Sequence, residues 1–270
     1  MGKGILSPEE IAKTTIQISE KKANLSFFQM ILLGIFAGIF IGLGAHADIT
    51  IIQTLEKFDI GFAKFMGAAV FPVGLMLVVL AGAELFTGNN LMILGLMDKK
   101  ITIKQILKNW SLVYIGNFIG SVLLALAIYK TGLYNSESMI VKANEIANSK
   151  VSLSFDESFM RAILCNMIVA LTIWVSTAAK YVIGKVFAIW FPIMLFVLSG
   201  FEHSVANMYF IPIGKFTGLD ISWTQIWVKN LIPVTIGNII GGGIIVSGVY
   251  YLVYILPNKN KEKNINEGTY

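Results

Sequence analysis

Two apolar stretches of this chain are interrupted in the same way. Residues 82–89 and 200–207 share the pattern G-x-E-x-x-x-x-N, and a Phe-Pro pair precedes each of them, Phe71-Pro72 in the first case and Phe191-Pro192 in the second. Each interruption puts one carboxylate into a segment that would otherwise be uniformly apolar. In a membrane protein, matched interruptions in two halves of the chain point to a transport site near the middle of the bilayer.

The composition indicates that the chain is a membrane protein. Hydrophobic residues make up 56% of it and charged residues 14%, with a mean hydropathy of +0.72, whereas a soluble domain carries roughly a quarter charged residues. Apolar runs of about 20 residues recur, each long enough to cross a hydrocarbon core of about 30 Å. They predict six helical spans, at residues 27–50, 62–97 with a break near 82–88, 107–129, 158–180, 186–208 with a break near 200–204, and 227–255.

The distribution of lysines predicts the orientation of these spans. Placing both termini inside assigns 13 of the 21 basic residues to inner segments, and Lys and Arg are enriched in short cytoplasmic loops. We therefore expect a multi-pass protein of the inner or plasma membrane with cytoplasmic N- and C-termini. Residues 1–257 are expected to form one channel domain and 258–270 a polar cytoplasmic tail. The connection at 130–157 is expected to be a structured outer loop or a short amphipathic segment.

An internal repeat relates the two halves of the chain. Residues 108–121 and 229–242 are identical at eight of fourteen positions, and the paired interruptions recur at a similar offset. The repeats run from about 27 to 129 and from about 158 to 255, with three spans in each. An odd number of spans inverts the second half relative to the first, with the pseudo-twofold axis in the membrane plane. The predicted fold is therefore an all-α membrane protein of six transmembrane helices in two inverted three-helix repeats, with helices 2 and 5 broken.

The breaks favour an anion, because the start of a half-helix carries unpaired N–H groups and partial positive charge. His203 lies in the second break, and a histidine inside a span is a candidate functional residue because it titrates near neutral pH. The alternative is a core histidine satisfied by a hydroxyl such as Thr87. His46, at the outer end of span one, is interpreted as interfacial. Glu84 and Glu202 are expected to accept hydrogen bonds from backbone N–H groups at the breaks.

Three motifs resemble those of the formate/nitrite transporter family: residues 84–89 (ELFTGN), 164–166 (LCN) and 196–209 (FVLSGFEHSVANMY). The resemblance extends from about residue 5 to 255. It implies a homopentamer of aquaporin-like protomers, each with its own pore for a small monovalent anion of a weak acid. Family members are described for formate, nitrite and hydrosulfide. Residues 88–90 (GNN) replace the small hydroxyl residues of the commonest formate-channel version, so the choice among the three anions stays open.

The resemblance also implies roles for individual residues. His203 matches the central pore histidine, Thr87 the hydroxyl residue that faces it, and Asn166 a polar group of the fourth span near the histidine. Lys150 matches a basic residue of the outer loop, and Glu202 the carboxylate before the histidine. The positions that match the two apolar constrictions are Phe71, Leu75, Leu85, Phe86 and Phe196.

Two other functional classes were compared with this prediction. An aquaporin-like channel for neutral solutes is disfavoured because no Asn-Pro-Ala pair marks the half-helices. An intramembrane enzyme is disfavoured because two histidines without a His-Glu-x-x-His motif are too few for a typical zinc site. We expect no metal and no cofactor. We also expect no nucleic-acid partner, since the lysines scatter over short loops. The expected partners are the lipid bilayer, a small anion and further copies of the chain.

Overall fold

The computed structural model describes residues 4–259, and this part of the chain is helical without a named β-strand. A single antiparallel bridge joins Ile5 to Ala179. Residues 260–270, most of the expected polar tail, lie outside the described part. We number the helical segments α1 Pro8–Ala23, α2 Phe27–Ile52, α3 Ile60–Gly82, α4 at residues 86–97, α5 Ile103–Lys130, α6 Glu137–Val151, α7 Phe155–Ala178, α8 Val182–Leu198, α9 Ser204–Phe216 and α10 Trp223–Lys259.

Five of these helices are long and apolar enough to cross a membrane: α2 with the turn that follows it, α3, α5, α7 and α10. The apolar helix α8 is shorter, at 17 residues. Large apolar side chains on the helix surfaces are exposed, as at Phe28 and Ile183. A soluble monomer rarely exposes so much contiguous apolar surface, so the fold is that of a multi-pass membrane protein.

Four of the long helices begin with capping boxes. In each one the side chain of a Ser or Thr N-cap accepts from the backbone N–H three residues later, and the Glu or Gln side chain at that later position accepts from the N-cap N–H. This arrangement pairs N–H groups that the first helical turn cannot pair itself. The pairs are Ser26 with Gln29, Thr102 with Gln105, Ser154 with Glu157 and Ser222 with Gln225. The sequence thereby fixes where α2, α5, α7 and α10 start.

Glycines hold helices close together on both sides of the molecule. A Cβ placed on Gly120 of α5 would lie 2.0 Å from the carbonyl oxygen of Ile35 in α2, and one on Gly241 of α10 would lie 2.1 Å from that of Ile163 in α7. Backbones can approach this closely only where no side chain intervenes. These glycines belong to the two G-x-x-x-G pairs of the sequence repeat.

The helical backbone stops at residues 83–85, between α3 and α4, and at 199–203, between α8 and α9. Gly82 and Gly200 have φ angles of +87° and +69°, a left-handed conformation that glycine adopts at little cost. A Cβ at either position would meet nothing within 4 Å. The backbone angle, and not lack of space, is therefore what requires glycine at these two turns.

Two helices lie beside the spans. Helix α1, amphipathic and capped by Ser7, packs against α4, α7 and the end of α10. Helix α1 was not predicted, because the first predicted span begins at residue 27. Helix α6 occupies much of the connection between α5 and α7 and packs mainly against α9.

Candidate functional site

His203 is the N-cap of α9 and lies at the centre of the molecule. Its Nδ1 accepts a hydrogen bond from the Ala206 N–H at 3.0 Å, and its Nε2 lies 2.8 Å from Thr87 Oγ1, at the start of α4. Both side chains are buried. Because Nδ1 is already an acceptor, a neutral imidazole must carry its proton on Nε2, which donates to the Thr87 hydroxyl. The structure therefore brings together the two residues that the sequence placed face to face, with a neutral histidine.

A small apolar cavity of about 10 Å³ adjoins this pair. It has about the minimum size that holds one water molecule. The Phe71 and Phe196 rings meet edge to face at 5.7 Å, and the Phe196 ring stacks on His203 at 5.8 Å. The residues that line the cavity are Ile41, Phe71, Leu75, Leu85, Val169, Ile193, Phe196 and His203.

Phe86 is the one predicted constriction residue that does not line this cavity. Its ring lies 4.9 Å from Tyr114 and 5.9 Å from Trp110, both on α5. The backbone is extended at Leu85, so the neighbouring side chains diverge. Leu85 lines the cavity, while Phe86 packs in an aromatic cluster on α5.

Asn166 of α7 is buried next to the break but does not line the cavity. Its Nδ2 lies 2.8 Å from Asn90 Oδ1, 2.7 Å from the Asn238 carbonyl and 3.3 Å from the Thr87 carbonyl. Its Oδ1 has no hydrogen-bond partner among the described residues. Asn166 therefore ties α4, α7 and α10 together and holds the backbone of Thr87.

Glu84 belongs to a buried hydrogen-bond network with Lys22, Asn89 and Asn109. The Lys22 amine lies 2.6 Å from Glu84 Oε1 and 2.8 Å from Asn89 Oδ1. The Asn89 amide donates to Glu84 Oε2 at 2.7 Å and to Asn109 Oδ1 at 2.8 Å. The Asn109 amide closes the network by donating to the Lys22 carbonyl at 3.2 Å. Helix α1 is thereby joined to the first break.

Glu202 belongs to a second network with the same residue types. The Lys150 amine lies 2.9 Å from Glu202 Oε1, and the Asn207 amide donates to Glu202 Oε2. The Asn207 amide also donates to Asn230 Oδ1 at 2.8 Å, and the Asn230 amide donates to the Lys150 carbonyl at 2.9 Å. Lys150 thus lies on helix α6 and pairs with the carboxylate before the central histidine. Because each buried carboxylate is paired with an amine, neither network leaves an isolated charge inside the molecule.

The expectation that Glu84 and Glu202 bind backbone N–H groups is therefore wrong. Two asparagines of the sequence repeat do so instead. Asn117 Oδ1 accepts from the Phe86 N–H and Asn238 Oδ1 from the Ser204 N–H, both at 2.9 Å. Each of these amides also donates to the carbonyl of the nearby glutamate, at 2.9 and 3.0 Å. Buried backbone groups freed by a break must find partners of this kind.

An open cavity of about 530 Å³, which we call the Lys150 vestibule, leads from the surface to Lys150, Glu202 and His203. On the opposite side of the centre, a cavity of about 30 Å³ is lined by Lys22 and residues of α1, α4 and α7. His203 thus lines the Lys150 vestibule, while Gly88, next to Thr87 in the chain, lines the smaller cavity. In the part of the chain that the structure describes, no group of three metal-ligating side chains comes together.

Sequence reasoning did not single out the asparagines of these networks, or Lys22. A signal existed for the asparagines: each interruption ends in Asn, and the repeated segments each contain Lys-Asn and Gly-Asn pairs. No comparable pattern marked Lys22, which lies 62 residues before its partner Glu84. The overlooked residues are Lys22, Asn89, Asn109, Asn117, Asn207, Asn230 and Asn238.

A bundle of apolar helices with a buried polar centre and a vestibule leading to it is the architecture of a multi-pass membrane transport protein. Residues 9–252 match the family model described as formate/nitrite transporter. The chain is 40% identical over 258 residues to the uncharacterized transporter YrhG of Bacillus subtilis, covering 95% of this chain and 96% of that one. It is 39% identical over 274 residues to a protein of Methanothermobacter thermautotrophicus named "Probable formate transporter", covering 94% and 99%. The chain therefore belongs to the formate/nitrite transporter family, as its motifs predicted.

The fold is also found among solved structures. A pentameric formate channel with formate bound superposes with a TM-score of 0.76 at 31% sequence identity, over 85% of this chain and 98% of that one. These relatives are channels and transporters, so this chain is a transport protein and not an enzyme.

Proposed function

We propose that each protomer forms a pore for formate or another small monovalent anion of a weak acid. The observation that carries this proposal is the buried contact between His203 and Thr87, with His203 lining both the apolar cavity and the Lys150 vestibule. Relatives named as formate channels or transporters support formate as the first substrate to test. Nitrite and hydrosulfide are the other candidates that the resemblance implies.

We further propose that the chain consists of two inverted halves of three spans, with the second and fifth spans broken. The two Lys–Glu–Asn–Asn networks support this, because in each one the lysine amine pairs with Oε1 of the glutamate and an asparagine amide donates to Oε2. The amides of Asn117 and Asn238 occupy equivalent places in the repeat and bind equivalent backbone groups. With the termini in the cytoplasm, as the lysine distribution favours, the Lys150 vestibule faces the outside.

Passage requires the anion to lose its charge or its water. In the narrow apolar cavity an ion gives up hydration that carbon atoms cannot replace. The same environment favours the neutral acid, because a low dielectric raises the pKa of a carboxylic acid. The proton comes from water, either directly or relayed through the Thr87 hydroxyl, which takes up a proton from water as it gives one up. In this scheme neutral His203 donates its Nε2–H to the Thr87 oxygen and so turns the Thr87 hydroxyl proton toward the substrate. The acid passes Leu85 and Phe196 uncharged.

The proposed function includes a proposed assembly of several protomers. The solved relative is a pentamer, and we propose that this chain assembles as a homopentamer with a pore in each protomer. A pore between subunits would leave the His203–Thr87 pair outside the substrate path.

Flux measurements on purified protein in liposomes test the function. We expect formate uptake well above that of protein-free liposomes, with nitrite and hydrosulfide measured alongside and glycerol as a neutral solute. Rapid glycerol flux without flux of any of the three anions would contradict the proposal and favour the aquaporin-like alternative.

A further inference from the structure

Besides His203, the Lys150 vestibule is lined by six acidic or basic side chains that differ in how they are paired. Three are basic and three are acidic. They are Lys64, Lys150, Arg161, Asp48, Glu56 and Glu202. Which of them present a free charge to an arriving anion depends on their partners.

Two of the carboxylates are neutralised by amines. Glu202 pairs with Lys150 at 2.9 Å, so the charges of this pair cancel near the pore. Glu56 pairs with Lys142 of α6 at 2.6 Å. Burial disfavours the charged form of Lys142, but hydrogen bonds to Glu145 and Glu56 outweigh it and raise the pKa of the Lys142 amine above its ordinary value. Lys142 therefore remains a cation and offsets the charge of Glu56.

The third carboxyl group, Asp48, lies deeper in the protein. It is 8% exposed, and its Oδ1 occupies the space where Gly67 lacks a side chain. It is therefore poorly placed to oppose an anion at the mouth of the vestibule.

Lys64 and Arg161 remain as exposed cations of the vestibule. Among residues 4–259, no carboxylate lies within 4.0 Å of either charged group. Glu157, one turn before Arg161 on α7, uses its Oε2 to accept from the Ser154 N–H and hydroxyl, both at 2.9 Å. Glu157 interacts with Arg161 only at longer range, so two cations without a close ion-pair partner line the Lys150 vestibule.

Arg161 is the only arginine among the 21 basic residues of the chain. A guanidinium presents parallel N–H donors that match the two oxygens of a carboxylate, which the single amine of a lysine cannot do. The backbone of Arg161 lies next to the second break, because the Arg161 carbonyl accepts from the Glu202 N–H at 3.4 Å. The side chain therefore projects from a backbone that is tied to the second break.

We propose that Arg161 and Lys64 form an anion-loading site that captures a small two-oxygen anion, such as a monovalent carboxylate, before it reaches Lys150 and His203. This inference rests on the proposed transport function. Arg161 supplies the paired donors and Lys64 supplies additional positive charge. The site favours formate and nitrite, which have two oxygens, over hydrosulfide, which has a single heavy atom.

The test compares the variants Arg161→Gln and Lys64→Gln with the matched control Lys57→Gln. Lys57 is an exposed lysine between α2 and α3 and does not line the vestibule. Initial formate uptake is measured in proteoliposomes of determined orientation, from the vestibule side, at low and high salt. For either vestibule variant we expect the formate concentration for half-maximal uptake to rise about two- to fourfold at low salt. The difference in half-maximal concentration between each variant and the wild type should shrink at high salt, because ions screen exposed charges. Maximal uptake should stay unchanged.

Arg161→Lys keeps the positive charge at this position but removes the parallel N–H donors of the guanidinium. It should weaken formate and nitrite uptake at low concentration but leave hydrosulfide uptake unchanged. If wild-type protein conducts formate and both Gln variants match Lys57→Gln, the loading site is refuted while the transport proposal stands. If Arg161→Lys weakens all three anions equally, the two-oxygen selectivity is refuted. Wild-type protein that carries no formate, nitrite or hydrosulfide would overturn both proposals.

Discussion

Replacing His203 by Asn or by Phe separates two roles that one side chain combines. Its Nδ1 caps α9 by accepting from the Ala206 N–H, and its Nε2 faces the Thr87 hydroxyl. Asn is among the best N-cap residues, so His203→Asn keeps the cap and loses the Nε2–H. His203→Phe loses both but keeps a ring against Phe196.

The hydrogen bonds set the expected magnitudes. Loss of a helix cap costs about 1 kcal/mol, and loss of the bond to Thr87 costs about 1 kcal/mol more. His203→Phe should therefore lose about 2 kcal/mol of stability and His203→Asn about half of that. The thermal midpoints should fall in the order wild type, Asn variant, Phe variant.

Transport should follow a different order. If the Nε2–H holds the Thr87 hydroxyl in position to contact the substrate, both variants lose that positioning, and a missing interaction of about 1.4 kcal/mol lowers the rate about tenfold. Formate flux is measured in proteoliposomes from about pH 5 to 8, a window that brackets the ordinary histidine pKa of about 6.5. We expect both variants to be slower and to have an altered pH profile. A His203→Asn protein with the wild-type rate and profile throughout would show that His203 is only a helix cap, and the substrate-orienting role would have to be abandoned.

Three further experimental outcomes are expected from the structure, and a fourth from the pentameric relative. Leu85→Ala or Phe196→Ala should widen the apolar cavity, raise flux and weaken selectivity among anions; wild-type conduction in both variants would identify these side chains as packing residues. Asn238→Leu leaves the buried Ser204 N–H unpaired, removes the amide donor to the Glu202 and Ala162 carbonyls and should cost about 3 kcal/mol, so an unchanged thermal midpoint would contradict its assigned role. Glu202→Gln removes the carboxylate partner of a largely buried amine and should lower that midpoint by the equivalent of about 2 kcal/mol, with a midpoint equal to wild type as the contrary result. Native mass spectrometry should show five copies of the chain, and a stable trimer or tetramer would refute the pentamer.

The sequence alone determined the features that depend on local chain properties. Apolar run length predicted the long apolar helices, and the capping boxes fixed where several of them begin. The glycines at 82 and 200 marked both turns, because a left-handed backbone conformation requires little more than the right residue. The family was also within reach, since its motifs are short and contiguous.

The tertiary structure decided which groups meet. Lys22 pairs with Glu84 across 62 residues of chain, and Asn117, rather than either glutamate, binds the backbone at the first break. The protonated nitrogen of His203 likewise follows from the Ala206 N–H beside its ring. A buried polar group binds whichever donor or acceptor the packed helices bring within about 3 Å of it. Neither the residue type nor the spacing along the chain contains that information.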